Sequence, residues 1–180
     1  MRRSPCVSPS RSRRRVLSMG HRRIAYITGS APLFELTQRE QGFRDAMAAA
    51  GVPVDERLIA DGHFRPRIAR QLTAAFLSED SLPTAILCAT DEMALGVLAE
   101  LNARGIRVPD DMSVTGYDNT RYAELTHPPL TTIAQPAHEI GTRAMQALLR
   151  QIAGKPVSRA SEYVDYQLIL RRSVGRVREA

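Results

Sequence analysis

The side chains in this sequence that could do chemistry follow short apolar segments. Phe64 closes Arg57–Phe64, Thr90 and Asp91 follow the run from Ala85, and Asp118 lies in Ser113–Asn119. Arg39 stands between Ile24–Gly29 and the second of these segments. A carboxylate accepts two hydroxyl hydrogen bonds at once, and a guanidinium donates through a planar fork. An aromatic face covers the C–H side of a sugar or a flat base. Together these groups point to a small-molecule site. Signatures of bond-making are missing: no GxSxG elbow, HExxH pair, phosphate loop or GxGxxG fingerprint occurs. His21, His63, His127 and His138 include no i, i+4 pair, so neither a metal nor a cofactor is expected. Asp91 and Asp118 could be imagined as an acid–base pair, yet both stand where a binding protein places acceptors. Each residue also has a plainer role open to it. Asp118 could cap its own turn, Asp91 could be a helix-start charge, Arg39 an exposed arginine and Phe64 a core residue.

The elements that must position these groups alternate. Stretches of helical period separate the strands, so the order β-α-β-α-β-α-β predicts a three-layer α/β fold, a parallel sheet with helices on both faces. In such sheets ligands sit beyond the carboxyl ends of the strands. Thr37–Ala50 puts Phe43, Met47 and Ala50 on one face before Gly51. Pro66 opens a helix bearing Ile68, Leu72 and Phe76. Thr84–Ala89 reads as a strand buried on both faces, and Thr90 then caps a helix with the stripe Ala94, Leu95, Val97, Leu98 and Leu101. Met112–Gly116, Leu130–Ala134 and Glu162–Leu170 read as further extended segments. Pro136–Ile152 reads as a long helix with Ile140, Ala144, Leu148 and Ile152 spaced by four.

A chain of 180 residues, 43% of them hydrophobic, can bury one domain core. No apolar run approaches the ~20 residues of a membrane helix, so no membrane partner is expected. Cys6 and Cys88 lie far apart without CxxC spacing, a reducing-compartment pattern in which Cys88 reads as a core residue. Residues 1–23 carry eight arginines and no acid, so of the net charge of +6 the remaining residues hold −2. The basicity belongs to a leader, expected to be disordered over residues 1–14. That leader lacks the apolar segment of about 7–15 residues that export requires, and a cytoplasmic location is expected.

The runs HRRIAYITG, REQGFRDAMAAAG, TDEMALGVLAEL, IRVPDDMSVTGYDN, PPLTTIAQP and LILRRSVG follow one another in order. Their series and spacing resemble the lactose-repressor (LacI/GalR) family of bacterial transcription regulators over about residues 16–175. The family shares the fold of periplasmic sugar-binding proteins. The resemblance implies a two-lobed effector domain that senses a sugar, a nucleoside or a similar metabolite. It also implies an N-terminal helix-turn-helix that binds operator DNA as a dimer. Nothing in this sequence matches that head, the hinge helix or the first half of the N-terminal lobe. Operator contact is therefore expected only through a head outside this sequence. The expected division is a basic tail 1–14, a C-terminal lobe 15–135, a helix 136–155 that normally belongs to the other lobe, and a return strand and tail 156–180.

The resemblance assigns roles by position. Asp118 matches the acidic effector-binding residue, Arg39 the arginine ahead of the GF pair, and Phe64 the aromatic that stacks on the effector ring. Thr90 stands where many sugar-binding relatives carry Asn. Asp91 follows it, and Gln135 lies at the interlobe crossover. Phe34 and Glu35 in the first loop face the same mouth. Leu95 matches the homodimer face, together with the helix from Pro66. The implied protein is a ligand sensor and no enzyme. A periplasmic-type solute-binding protein is the alternative, and a small α/β enzyme a third reading.

Overall fold

The computed structural model describes residues 10–30, 34–157 and 164–177. Ile24–Thr28 (β1) is a run of β-formers, buried except at its last residue. It pairs in parallel with Ile59–Asp61 (β2) on one side and Ala85–Cys88 (β3) on the other. Ser113–Thr115 (β4) adds beyond β3, giving the order β2-β1-β3-β4. All four residues of β3 are buried, as its continuous apolar run requires. The chain steps from β1 to β2 through Phe34–Ala49 (α2). It then reverses across β1 to β3 through Pro66–Phe76 (α3), and on to β4 through Asp91–Ala103 (α4). With right-handed crossovers, that reversal puts α2 on one face and α3 and α4 on the other. Ser10–Ser18 (α1) packs beside α2, and α3 packs along α4.

The inward faces of α2 and α4 follow the expected period, although Ala50 at the end of the α2 stripe is exposed; α3 is turned by one residue from expectation, burying Ala69, Thr73 and Phe76 and leaving Ile68 and Leu72 half-buried. Phe43 and Met47 of α2 are buried, and the Phe43 ring stacks on Tyr26 of β1 with centroids 5.2 Å apart. On α4, Ala94, Val97 and Leu101 point inward, whereas Leu95 and Leu98 are only half-buried. Cys88 is buried, and burial pushes its thiol well above the usual range, so it is an inert core residue.

Three expectations need correction. The leader is ordered further than its charge implies, because α1 begins at Ser10 and not near Arg15. Ser12 is 5% exposed and Val16 fully buried one turn on, while Arg14 points to solvent. Arginine is a good helix former, and one buried face suffices to hold the turn. Residues 1–9 lie outside the described residues. The second strand is shorter than expected, since Glu56–Leu58 forms a single 3-10 turn before β2. Asp55 caps that turn by accepting the Arg57 N–H, and its carboxylate also holds Arg23 and Arg57. The terminal strand is described only over Gln167–Ile169 (β6), antiparallel to Thr132–Ala134 (β5). The segment 158–163, at the start of the expected Glu162–Leu170 strand, lies outside the described residues.

The amino ends of the strands are tied together by His21. Its Nδ1 lies 2.9 Å from the Thr84 hydroxyl, and its Nε2 lies 3.0 Å from Ser113 Oγ and 3.1 Å from the Gly175 carbonyl. A neutral ring with its proton on Nε2 donates to Gly175 and accepts from Thr84. The C-terminal segment is held in the same region, with the Val114 and Ser173 backbones bonded at 2.8 Å and the Val177 N–H donating to Met19 at 3.0 Å. Burial lowers the His21 pKa, against a smaller raising effect of the Gly175 bond. A group whose folded pKa is depressed gives stability that is present above its unfolded pKa and lost as pH falls through the folded one. Chemical denaturation should therefore show stability falling once pH drops below about 6.5. His21→Gln should remove that component of the pH dependence.

Ala137–Ile152 (α5) is unlike the other helices, for none of its residues is buried. Ile140, Met145, Leu148, Leu149 and Ile152 are exposed, from 40% at Ile140 to 73% at Ile152. Each such side chain forgoes about 1.5–3 kcal/mol of burial. Contiguous apolar surface of this kind promotes association. Hydrogen exchange across residues 140–152 should be fast relative to β1 and β3, and sedimentation should show concentration-dependent association. Replacing Leu149 and Ile152 with glutamate should abolish the association and leave the unfolding midpoint unchanged. Slow exchange in a stable monomer would mean that the chain covers this face by itself.

Candidate effector site

The strand order reverses between β1 and β3, and the crevice beyond their carboxyl ends is where α/β sheets bind ligands. Four loops leave the sheet there, because all four strands are parallel. They carry Gly29–Ser30 after β1, Gly62–Phe64 after β2, Ala89–Asp91 after β3, and Gly116–Asn119 after β4. Phe64, Thr90 and Asp118 thus stand at one end of the sheet, as their positions after strands predict.

Arg39 is brought there by helix geometry. It lies one turn before Phe43 on the same face of α2, so the stacking of Phe43 on Tyr26 fixes both. Its Nη1 donates to the Ala89 carbonyl at 3.0 Å, and its guanidinium carbon lies 3.7 Å from the Tyr117 ring centroid. Tyr117 was not among the expected residues, although its place in GYDN beside Asp118 was a usable signal.

Phe64 occupies a left-handed turn, with φ of 50° at His63 and 55° at Phe64. Asp61 holds the turn by accepting the His63 N–H at 2.7 Å, and Ser30 Oγ lies 2.7 Å from His63 Nδ1. The half-buried Phe64 ring lies across Gly29 at the end of β1, where any Cβ would strike it. It therefore belongs partly to the core and partly to the mouth.

Asp118 is also left-handed, at φ 104°, as is Asn119 at 51°. Two such residues in a row are strained without glycine, and strain persists only where the surroundings fix it. The Asp118 N–H donates to Ile133 at 2.9 Å, and its Oδ1 accepts from Gln135 Nε2 at 2.7 Å. Burial raises the Asp118 pKa, opposed by the Gln135 bond and by the charge of Arg39. Gln135, the residue that follows β5, is thereby held against Asp118.

Thr90 and Asp91 serve the fold more than the mouth. Thr90 is the N-cap of α4, its hydroxyl accepting from Met93 N at 3.3 Å. Asp91 is 1% exposed, and its carboxylate turns inward. One oxygen accepts from the Thr132 hydroxyl at 2.6 Å and the other from the Thr120 N–H at 2.7 Å. Burial raises its pKa, while these bonds and the charge of Arg171 lower it. Gly116 has no room for a Cβ because that carboxylate fills the space. The expected ligand contact of Asp91 thus meets a side chain already committed to protein partners. Phe34 and Glu35 begin α2 and are exposed, and Leu95 lies on α4 away from this group.

Surface clefts of about 650 Å³ beside Arg14, Ser18 and Gln167 and about 660 Å³ between Arg22 and Leu58 lie away from this group. Among the described residues no group of three or more His, Cys, Asp or Glu could hold a metal, and no helix is long and apolar enough to cross a membrane.

Comparison with known proteins agrees with this geometry. Residues 14–174 match the periplasmic binding protein-like domain. The chain is 40% identical over 154 residues to the HTH-type transcriptional repressor CytR of Escherichia coli (strain K12), covering 86% of this chain and 45% of that protein. It is 36% identical over 162 residues to the HTH-type transcriptional repressor PurR of Vibrio parahaemolyticus, covering 90% and 48%. The chain thus spans about half the length of these relatives. Among solved structures, the transcriptional regulator CelR in complex with cellobiose superposes with a TM-score of 0.85 at 34% identity, covering 89% of this chain and 49% of that one. The transcription regulator CcpA of Lactococcus lactis gives 0.86 at 27% identity, covering 92% and 60%. The chain belongs to the periplasmic binding protein-like domain family, in the group formed by the effector-binding domains of LacI-type transcriptional regulators.

Proposed function

We propose that this chain is one lobe of a cytoplasmic metabolite sensor that modulates operator binding by a larger regulator. The supporting observation is that the loops beyond the carboxyl ends of β1 to β4 carry Phe64 and Asp118, with Arg39 bonded to Ala89 and Gln135 to Asp118. An acceptor carboxylate, a donor fork and an aromatic face suit a small hydroxylated ring, a sugar or a nucleoside. The cellobiose complex of CelR supports the sugar class. Thr90 contributes at the floor through its hydroxyl, and Gln135 links the ligand to the crossover strand. The open mouth and the uncovered face of α5 are both explained by a second lobe that closes over them. Effector binding between lobes then shifts the population of lobe angles, and with it the spacing of two DNA-reading heads. The names of the repressor relatives support a binding role over catalysis. Calorimetry on the full-length parent with a panel of sugars and nucleosides tests the reading. Asp118→Ala should cost about 1.5–3 kcal/mol, roughly tenfold or more in affinity. Unchanged affinity would return Asp118 to the role of a turn residue.

The half-buried Leu95 supports a homodimer face on α4 and the adjoining α3. Ala94, Val97 and Leu101 fill the inward face and Leu98 packs against the core, which leaves Leu95 for a partner. Leu95→Glu should convert a dimeric parent into monomers in sedimentation. A parent that is already monomeric before mutation would remove this interface.

A further inference from the structure

We infer that Arg171 is a positioning residue that holds the strained Asp118–Asn119 turn in its ligand-accepting shape and ties it to the crossing strands. The inference rests on the reading of Asp118 as the effector's acceptor. Arg171 follows β6 and touches none of Arg39, Phe64 or Asp118 by any hydrogen bond among the described residues. Its Nη2 donates to Asn119 Oδ1 at 2.9 Å, and its Nη1 donates to the Leu130 carbonyl at 2.9 Å. Its own N–H donates to the Thr131 hydroxyl at 3.0 Å. One planar guanidinium therefore bridges the turn and the entry of β5, while its backbone bonds the next residue of that entry. A lysine, with a single point of charge, cannot make both side-chain bonds in this geometry.

The turn needs such a hold. Asp118 and Asn119 lie at φ 104° and 51°, a conformation that costs of order 1–3 kcal/mol per residue unless it is over-determined. From within, the buried Asp91 carboxylate grips Thr120 N and Thr132 Oγ1, and the Asn119 N–H donates to that same Thr132 hydroxyl at 3.3 Å. From the other side, Arg171 holds the Asn119 side chain through its amide oxygen. Asp91 and Arg171 thus clamp the turn between them. Both strands that cross out of the sheet region meet at the clamp, β5 through Thr132 and Gln135, and β6 through Arg171. A change in the turn on ligand binding is in this way linked directly to the β5–β6 pair.

The test uses the 180-residue chain and needs no effector, so its failure leaves the ligand reading standing. Amide exchange at residues 118–120 and the ¹³C titration of the Asp118 carboxyl are followed by NMR. In Arg171→Gln, exchange at the turn should rise roughly tenfold or more over that at β1 and β3. The Asp118 titration should move down toward the ordinary carboxylate range as the side chain becomes solvated. Arg171→Lys should behave like Arg171→Gln. Asn119→Ala removes the acceptor without touching β6 or relieving the left-handed backbone, and should give the same loosening, which covers the case of an Arg171 variant that fails to fold. Asn119→Asp keeps an acceptor for the fork and should retain wild-type exchange. Wild-type behaviour in Arg171→Gln or Asn119→Ala, or a uniform rise across the whole sheet, would overturn the inference. Full rescue by lysine would also overturn it, because charge alone would then be sufficient.

Discussion

Every functional position depends on the pairing of β1 with a strand on each side. Tyr26 is matched to Ile59 of β2 and to Leu87 of β3, so the middle of the sheet is fixed at one residue. Because these ladders are parallel, the carboxyl ends of all the strands fall in one plane. Because β2 and β3 lie on opposite sides of β1, the chain must reverse direction there, and the loops part to leave a crevice. The Tyr26 ring then anchors Phe43 and with it the whole of α2, which delivers Arg39 to the crevice. A shift of β1 by one residue would send each of its side chains to the opposite face of the sheet, part Tyr26 from Phe43 and misplace every one of these groups.

Around that crevice the structure holds backbone strain. Two left-handed turns, at His63–Phe64 and at Asp118–Asn119, hold non-glycine residues in conformations that simple loops avoid. The carboxyl of Asp118 is partly desolvated as well, which raises its pKa. The compensation lies close by, in the fully bonded carboxylate of Asp91 and in the His21 clamp at the opposite end of the sheet.

The helix α5 separates two levels of organisation. The sheet and its four helices bury their apolar faces on one another, whereas α5 buries none of its residues. Its amphipathic pattern is as regular as that of α3, so the difference is one of available surface and not of sequence quality.

The sequence by itself determined the alternation of elements, the inward faces of α2 and α4, and the placing of Phe64, Thr90 and Asp118 after strands. These follow from periodicity and from residue type at element ends, which are local properties. The amphipathic face of α5 was legible for the same reason. Only the tertiary structure decided that Asp91 turns inward to Thr132, 41 residues away, and that Arg171 reaches Asn119 across 52 residues. It also decided that α1 begins within an arginine run, since its order comes from packing on α2 and not from its own composition. Such outcomes depend on which surfaces meet when the sheet closes. No pattern within a window of a few residues carries that information, because the partners of a buried polar group are chosen by the fold as a whole.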